Sequence, residues 1–322
     1  MKKELSYLEL IKAIDEIKKY FEKQLASRLS LTKVQSPLFV KRESGLQDAL
    51  SGTEKAVTFQ KEGETFEIVH SLAKWKRDAL GRYKFPLHTG LYTDMKAIRK
   101  DEEIDAIHSY YVEQYDWEKV ISKEDRTIDY LKETVKSIYK ALRQTAIFIK
   151  GKYPFVSIDL PKKITFITSQ ELEDLYPDKT PKEREELIVR DKKAVFIIGI
   201  GDTLKSGEKH DKRSPDYDDW SLDGDLLVYD KKIDQAMEMT SMGIRVDEKS
   251  LMYQLEKSDC LDRLKTPYHQ KIQKRELPYT IGGGIGISRI LMLLLEKEHL
   301  AQVQASSWDK RTLKRIKDIA IL

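Results

Sequence analysis

Near the end of the 322-residue sequence, Ile281, Gly282, Gly283, Gly284, Ile285, Gly286, Ile287, Ser288 and Arg289 run directly into the apolar stretch ILMLLLEKEHL. Glycines at four of five positions strip side-chain bulk from a strand-to-helix junction. A ligand phosphate can then approach backbone amides, with Arg289 just inside the helix. No Lys-Ser or Lys-Thr pair follows the glycines, so this is not a Walker-type loop, and it lies far from the chain start where a dinucleotide fingerprint opens. Tight packing is the other use of such a run.

Three more clusters carry chemistry. In VHSLAKWKR (69–77) a strand ends and a basic helix begins, so Ser71 and Lys76 could hold a carboxylate or phosphate; a solvated basic face is the alternative. Arg99, Lys100, Asp101, Glu102, Glu103 and His108 precede YVEQYDWE (111–118), where alternation sends Gln114, Asp116 and Glu118 to one face. At an edge that is ordinary solvation, and on a central strand it is a site for a polar ligand. The third cluster is acidic: Asp216, Asp218, Asp219, Asp223 and Asp225, followed by Glu238 on a strand. Divalent cations such as Mg²⁺ take oxygen ligands, which makes Asp225 and Glu238 candidate metal carboxylates. A surface acidic loop accounts equally well for Asp218 and Asp219. Arg245 lies an odd number of residues after Glu238, so a regular strand would turn the two to opposite faces unless a bend near Gly243 brings them together.

The elements that must position these groups are legible in outline. Leu5, Leu8, Ile11, Ile14, Ile17, Phe21, Leu25 and Leu29 form an apolar stripe that predicts a long helix over 5–29. Ile128, Leu131, Val135, Ile138, Leu142, Ala146 and Ile149 predict another over about 124–150. Thr180, Pro181 and Glu183 form a capping box with proline at the first helical position. Strands are expected over 55–59, 65–69, 110–115, 164–168, 194–200, 226–229 and 236–246, the first two as a hairpin turning at 61–64. Hairpins without regular intervening helices predict an α+β fold with an antiparallel sheet flanked by helices. With no repeat or proline-rich linker, residues 1–322 are read as one domain.

Composition narrows the function classes. Basic and acidic side chains number 58 and 54, giving a net charge of +4 at 35% charged residues, so nothing in the balance favours nucleic acid or a membrane surface. No apolar run approaches the roughly 20 residues of a membrane span. Glu4, Glu9, Asp15 and Glu16 break up any secretory signal, and the single cysteine, Cys260, has no intrachain partner. The cytoplasm is the expected location. The six histidines show no zinc-ligand spacing.

Glycine and arginine for phosphates, carboxylates for a metal, and Lys76, Arg245, Gln114 and Asp116 for a small zwitterion suit activation of a carboxylate by ATP. The order of VHSLAKWKR, GLYTDMKAIR, SPDYDDWS, SMGIRVD and IGGGIGISR, within a match from Gln24 to Trp308, resembles the ammonia-dependent asparagine synthetase family. That family is itself similar to the catalytic core of class II aspartyl-tRNA and asparaginyl-tRNA synthetases. The resemblance implies that fold and a homodimer built around the first-motif Pro37. It implies Arg99 on the α-phosphate and Arg289 on the ATP tail, with Gly283, Gly284 and Gly286 also at the nucleotide. Ser71, Gln114 and Asp116 are implied toward the ammonium group of L-aspartate, and Lys76 and Arg245 toward its side-chain carboxylate. Glu238 is implied as a Mg²⁺ ligand, with Asp225 as a second, and Asp48 in the loop that closes on the amino acid. The second motif reads Arg99, Lys100, Asp101 where the class has Arg-Asp-Glu.

The implied reaction joins ATP, L-aspartate and ammonia through β-aspartyl-AMP, releasing AMP, pyrophosphate and L-asparagine, with Asp48 or Asp218 gathering the ammonium. Glutamine is not expected as nitrogen source, because Cys260 has no Ser/His setting suited to a glutaminase. The alternatives are an aminoacyl-tRNA synthetase paralogue and a non-catalytic binding module of the same fold. The first is expected to carry an anticodon-binding barrel, for which Pro37 lies too close to Met1. The second should have lost Arg99, Arg289 or Glu238.

Overall fold

The computed structural model describes residues 5–51 and 54–322. The first apolar stripe forms α1 (Tyr7–Leu29), opened by a capping box between Ser6 and Glu9. Its buried face is Leu10, Ala13, Ile17, Phe21, Leu25 and Leu29, whereas Leu8 and Ile11, expected on the stripe, are exposed. The 3.6-residue period carried back from Ile17 reaches Ala13 and Leu10, not Ile11 and Leu8. Short strands β1 (Leu31–Lys33) and β2 (Phe39–Lys41) follow, then the hairpin β3 (Thr58–Lys61) and β4 (Glu64–Ile68). Its two turn residues, Glu62 and Gly63, both have positive φ, as a tight hairpin turn matching strand twist demands. The hairpin joins β2 in a separate three-stranded sheet.

Helix α2 (Ala73–Arg82) leads to β5 (Gly90–Ile98), β6 (Tyr111–Val120) and the long α3 (Ile128–Lys152). Strand β5 was not among the expected strands, although Leu91, Met95 and Ala97 alternate correctly for one. Next come β7 (Thr165–Thr168), α4 (Ser169–Leu175), α5 (Pro181–Lys192) with the expected capping box, and β8 (Ala194–Ile198). Strands β9 (Asp218–Asp230) and β10 (Gln235–Arg245) precede α6 (Glu248–Lys257) and α7 (Pro267–Gln273). The fold ends with β11 (Thr280–Gly286), α8 (Ile287–Leu294) and α9 (Lys310–Arg315).

Among the described residues the main sheet has eight strands in the order β1-β5-β6-β11-β10-β9-β8-β7. Its interior pairings are antiparallel, and β1–β5 and β7–β8 at the two margins are parallel. One face is apolar across its middle, with Glu113 and Lys119 of β6 flanking Tyr115 and Trp117 on it. Tyr115 and Trp117 of β6, Ile281 and Ile285 of β11, Met242 of β10 and Phe196 of β8 pack there under α1, α3 and α8. The opposite face is covered at one side by α2, through Trp75, Ala79 and Leu80 on Leu91, Met95 and Ala97. At the other side α4 and α5 cover it, through Leu172, Ile188 and Val189 on Val195, Ile197 and Leu227. The middle strands β6, β11 and β10 bring polar groups to that face, and the cleft lies there.

Strand β9 begins eight residues before the expected 226, so the acidic stretch is strand and not surface loop. Asp218, Asp219, Asp223 and Asp225 are all buried, with Arg245 paired to Asp218, Arg126 to Asp219 and Arg213 to Asp225. Such counter-ions offset the burial of three of these carboxylates, and at Asp223, which accepts from Ile200 N, burial pushes the carboxyl well above its ordinary range. The basic helix departs from solvation in the same way: every residue from Ala73 to Leu80 is buried.

Candidate active site

The cleft encloses about 320 Å³ between α2, α8 and the middle of the sheet. Its floor is set by register. Gln114, Asp116 and Glu118 of β6 stand opposite Gly286, Gly284 and Gly282 of β11. A Cβ on Gly282 would lie 1.9 Å from Glu118 Oε2, and one on Gly284 would lie 2.6 Å from Gln114 Oε1 and 2.9 Å from Asp116 Oδ1. These two glycines therefore leave room for polar side chains from the neighbouring strand, a different use from the phosphate approach read from the run. Gly283 faces the other way, its Cβ position blocked by Met242, while its carbonyl accepts from Lys76 Nζ at 3.0 Å. Gly286 caps α8, and its Cβ position is open, at 3.6 Å from the Arg289 side chain.

At one end of the cleft, cations and carboxylates are packed together. Lys76 reaches down from α2 and spends its three donors on Asp116 Oδ1 (3.1 Å), Trp117 O and Gly283 O, with Glu118 Oε2 at 3.9 Å. Arg245 binds Glu118 in two parallel bonds and also pairs with Asp218. Two buried cations thus face three carboxylates. Burial pushes the Asp218 carboxyl above its ordinary range against the pull of Arg245 and Arg213. The same competition ends the other way at Glu118, where burial is outweighed by Arg245 and Lys76 and the carboxyl is held below its usual range.

Helix α2 is fixed at its N-terminus by two carboxylates. Asp48 accepts from Ser71 Oγ (2.5 Å), Ala73 N (2.6 Å) and Lys74 N (3.3 Å), and Asp116 Oδ2 accepts from Leu72 N (3.1 Å). Free amides and the helix dipole favour negative charge at this position. Lys74 pairs with Asp216, which also meets Arg263 and His269 Nε2, each at 3.0 Å. Asp216 is held well below the usual carboxylate range because Lys74, His269 and Arg263 outweigh its burial.

The other end of the cleft is lined by arginines. Arg99 donates to His70 O through Nε and Nη2, at 3.3 and 3.2 Å. Arg289 donates to Ile107 O and Glu238 O, with Glu238 Oε2 3.7 Å away. Burial lowers the Arg99 guanidinium from its ordinary value, and the charge of Arg289 adds to that. Two like charges sharing one wall suit a polyanion.

Glu238, Ser241 and Arg245 all line the cleft. The register shift between Glu238 and Thr240 accomplishes this, because Ser241 and Arg245 are already in phase. The bend expected at Gly243 exists as a second shift, but its extra residues belong to β9. Glu238 is 42% exposed, and Asp225 is buried behind Arg213 with its Oδ1 reached by no donor among the described residues. Two carboxylates, one carrying an orphan oxygen, fit a Mg²⁺ that takes its remaining ligands from phosphates and water. No group of three or more His, Cys, Asp or Glu side chains forms a closed cage among the described residues.

Of the residues expected at the site, Ser71, Lys76, Arg99, Gln114, Asp116, Asp218, Glu238, Arg245, Gly283, Gly284, Gly286 and Arg289 line this one cleft. Asp48 and Asp225 stand behind its wall. The sequence reading did not single out Arg213, Lys74 or His269. Arg213 precedes the SPDYDDW segment in an ordinary charged stretch, and only its placement on the cleft wall beside Asp225 marks it.

The chain matches the family model described as aspartate-ammonia ligase over residues 8–320. It is 58% identical over 309 residues to the aspartate--ammonia ligase of Clostridium perfringens (strain 13 / Type A), covering 95% of this chain and 92% of that one. It is 52% identical over 316 residues to the aspartate--ammonia ligase of Clostridium tetani (strain Massachusetts / E88), covering 97% and 93%. Among solved structures it is similar to the asparaginyl-tRNA synthetase of Pyrococcus horikoshii complexed with asparaginyl-adenylate. The TM-score is 0.66 at 14% identity, covering 92% of this chain and 68% of that chain. The aspartyl-tRNA synthetase of Entamoeba histolytica gives 0.60 at 16%, covering 93% and 59%. The fold is thus that of class II aminoacyl-tRNA synthetase catalytic cores, and the chain is an enzyme that belongs to the aspartate-ammonia ligase family.

Proposed function

We propose that this enzyme makes L-asparagine from L-aspartate and ammonia at the expense of ATP, through β-aspartyl-AMP. One observation carries the reading. A single cleft holds two cations, Lys76 and Arg245, among three carboxylates at one end, a charge pattern suited to a small zwitterion, and Arg99 with Arg289 at the other. A carboxylate is a poor electrophile and must be activated before an amine attacks it. The aspartate side-chain carboxylate, directed by Arg245 and drawn by the charge of Lys76, attacks the α-phosphorus, and pyrophosphate leaves. Arg99 and Arg289 stabilise the charge that develops on phosphoryl oxygens, by prior placement and not by covalent chemistry. Asp116, Gln114 and Ser71 hold the substrate ammonium group. Glu238 and Asp225 are the residues that would hold Mg²⁺, whose chemistry when bound is to neutralise the phosphates.

Ammonia then attacks the acyl carbon and AMP departs with the acyl C–O bond broken. Ammonium must first lose a proton. Asp218 is the residue proposed to take it, because it lines the cleft and its carboxyl is raised by burial. Asp48, with its oxygens committed to Ser71 and the start of α2, is proposed to hold that helix in place. Residues 1–322 are proposed to act as one catalytic unit, as a homodimer in the cytoplasm with no nucleic acid partner.

The test is to incubate the protein with ATP, Mg²⁺ and aspartate, adding ammonium, glutamine or tRNA, and to identify products by mass. Asparagine with AMP, from ammonium and not from glutamine, is the expected result. ADP or charged tRNA would reject the proposal.

A further inference from the structure

The segment between β8 and β9 enters and leaves through fixed points. Gly201, at φ +113°, lies against the Trp220 ring, where a Cβ would come within 2.5 Å. Lys205 N donates to Gln170 Oε1 and Ser206 Oγ to Glu173 Oε1. At its far end Ser214 N donates to Leu50 O, and Trp220 Nε1 donates to Ser214 O. Arg213 is the last residue before that anchor, and its side chain projects onto the cleft wall.

There Arg213 donates to Ser241 Oγ at 2.8 Å through Nη1 and pairs through Nη2 with Asp225 Oδ2. The pairing is end-on and leaves two orphans among the described residues: Arg213 Nε is buried without an acceptor, and Asp225 Oδ1 is buried without a donor. A permanent structural pair closes such gaps, as Arg245 and Glu118 do by binding through two nitrogens and two oxygens. The two orphans have opposite needs. One calls for an anion and the other for a cation, at adjacent points of the same wall. Asp211, Asp223 and Glu238 add further negative charge around the guanidinium.

Resting on the proposed function, we propose that Arg213 is an exchangeable counter-ion: without nucleotide its guanidinium neutralises the carboxylates of Asp225 and Glu238, and when a divalent cation arrives with the polyphosphate it releases Asp225 and turns to a phosphate oxygen. The carboxylate oxygens pass to the cation, and the freed guanidinium N–H groups pass to the anion, so no charge is left unpaired. Because the backbone on either side is anchored, the exchange is a side-chain rotation. The consequence is ordered binding. The metal wall stays closed to free cations and opens to a metal-nucleotide pair.

The test uses the full-length protein with Mn²⁺ alone as probe, followed by the loss of the free Mn²⁺ paramagnetic signal. Arg213→Met should bind Mn²⁺ about ten-fold or more tightly than the wild type without nucleotide, and Arg213→Lys, which keeps the charge, should stay within about two-fold. With α,β-methylene-ATP present the order should invert, Arg213→Met holding the Mn²⁺-nucleotide about ten-fold more weakly. Arg213→Gln serves as a second neutral variant, and adding Asp225→Asn to either should erase the gain. Unchanged or weaker Mn²⁺ binding in the neutral variants would overturn the proposal. Aspartate-dependent exchange of pyrophosphate into ATP by the wild type is measured alongside. Its absence would count against the proposed reaction, while the nucleotide-free Mn²⁺ result judges Arg213 by itself.

Discussion

Glu118 and Arg245 grip each other through Nε to Oε1 at 2.9 Å and Nη2 to Oε2 at 2.7 Å, with neither side chain more than 2% exposed. Glu118 belongs to β6 and Arg245 to β10, the two neighbours of β11, so the pair bridges over β11 at Gly282. A fork of this kind fixes the plane of the guanidinium, and with it the direction in which Arg245 meets a ligand.

Replacing Glu118 by Gln should therefore be costly in two ways. Removing one partner of a buried pair costs about 3–5 kcal/mol, which urea denaturation would read. The KM for aspartate in AMP formation should rise by about ten-fold or more, because Arg245 loses its fixed plane. Stability and KM both at wild-type levels would refute the positioning role.

Gly282 and Gly286 make a contrasting pair. Gly282→Ala places a methyl group 1.9 Å from Glu118 Oε2 and 2.7 Å from Arg245 Nη2, whereas Gly286→Ala meets nothing closer than 3.6 Å. The first should lose about 1–3 kcal/mol and most activity, and the second little of either. Equal effects in thermal melts and turnover would count against the explanation of the glycine run by its polar neighbours.

Arg99→Ala and Arg289→Ala should each slow aspartate-dependent pyrophosphate exchange by about 10²–10³-fold. Arg289 is 20% exposed and among the described residues bonds only backbone carbonyls and Glu238, so its removal should leave the circular dichroism spectrum unchanged. Retained exchange in either variant would remove that arginine from the phosphate site.

Asp218→Asn separates the two half-reactions. Adenylate formation needs no ammonium, so pyrophosphate exchange should survive, while asparagine formation at low ammonium falls by about 10²-fold. Loss of both in equal measure would make Asp218 a partner of Arg245 and nothing more.

Asp216 makes stability depend on pH. Its carboxyl is held well below the ordinary 3.8 by Lys74, His269 and Arg263, against the effect of burial. A folded-state value below the unfolded one means the unfolded chain binds the proton more readily. The stabilisation is therefore full above 3.8 and is lost as pH falls from there through the folded value. In Asp216→Asn the denaturation midpoint should drop most at neutral pH, with the gap to wild type narrowing as pH falls below 3.8. A gap independent of pH would show that the charge of Asp216 is not what matters.

The amino-acid sequence by itself determined α1, α3 and α5 and the chemical inventory. Periodicity fixed α1 and α3, the Thr180-Pro181-Glu183 box fixed α5, and the alternation of Gln114, Asp116 and Glu118 fixed which face of β6 is polar. These are local properties, written in side-chain spacing within one element. The tertiary structure decided which charges are buried and with what partner. An acidic run looks alike on a surface and in a core, and Asp218, Asp219 and Asp225 are inside because the fold brings Arg245, Arg126 and Arg213, which lie 27, 93 and 12 positions away, against them. It also decided what the glycines are for. Gly282 and Gly284 owe their smallness to Glu118, Gln114 and Asp116 on a strand more than 160 positions earlier. Side-chain volume across a strand pair depends on register, and register is set by the whole sheet, not by either strand alone.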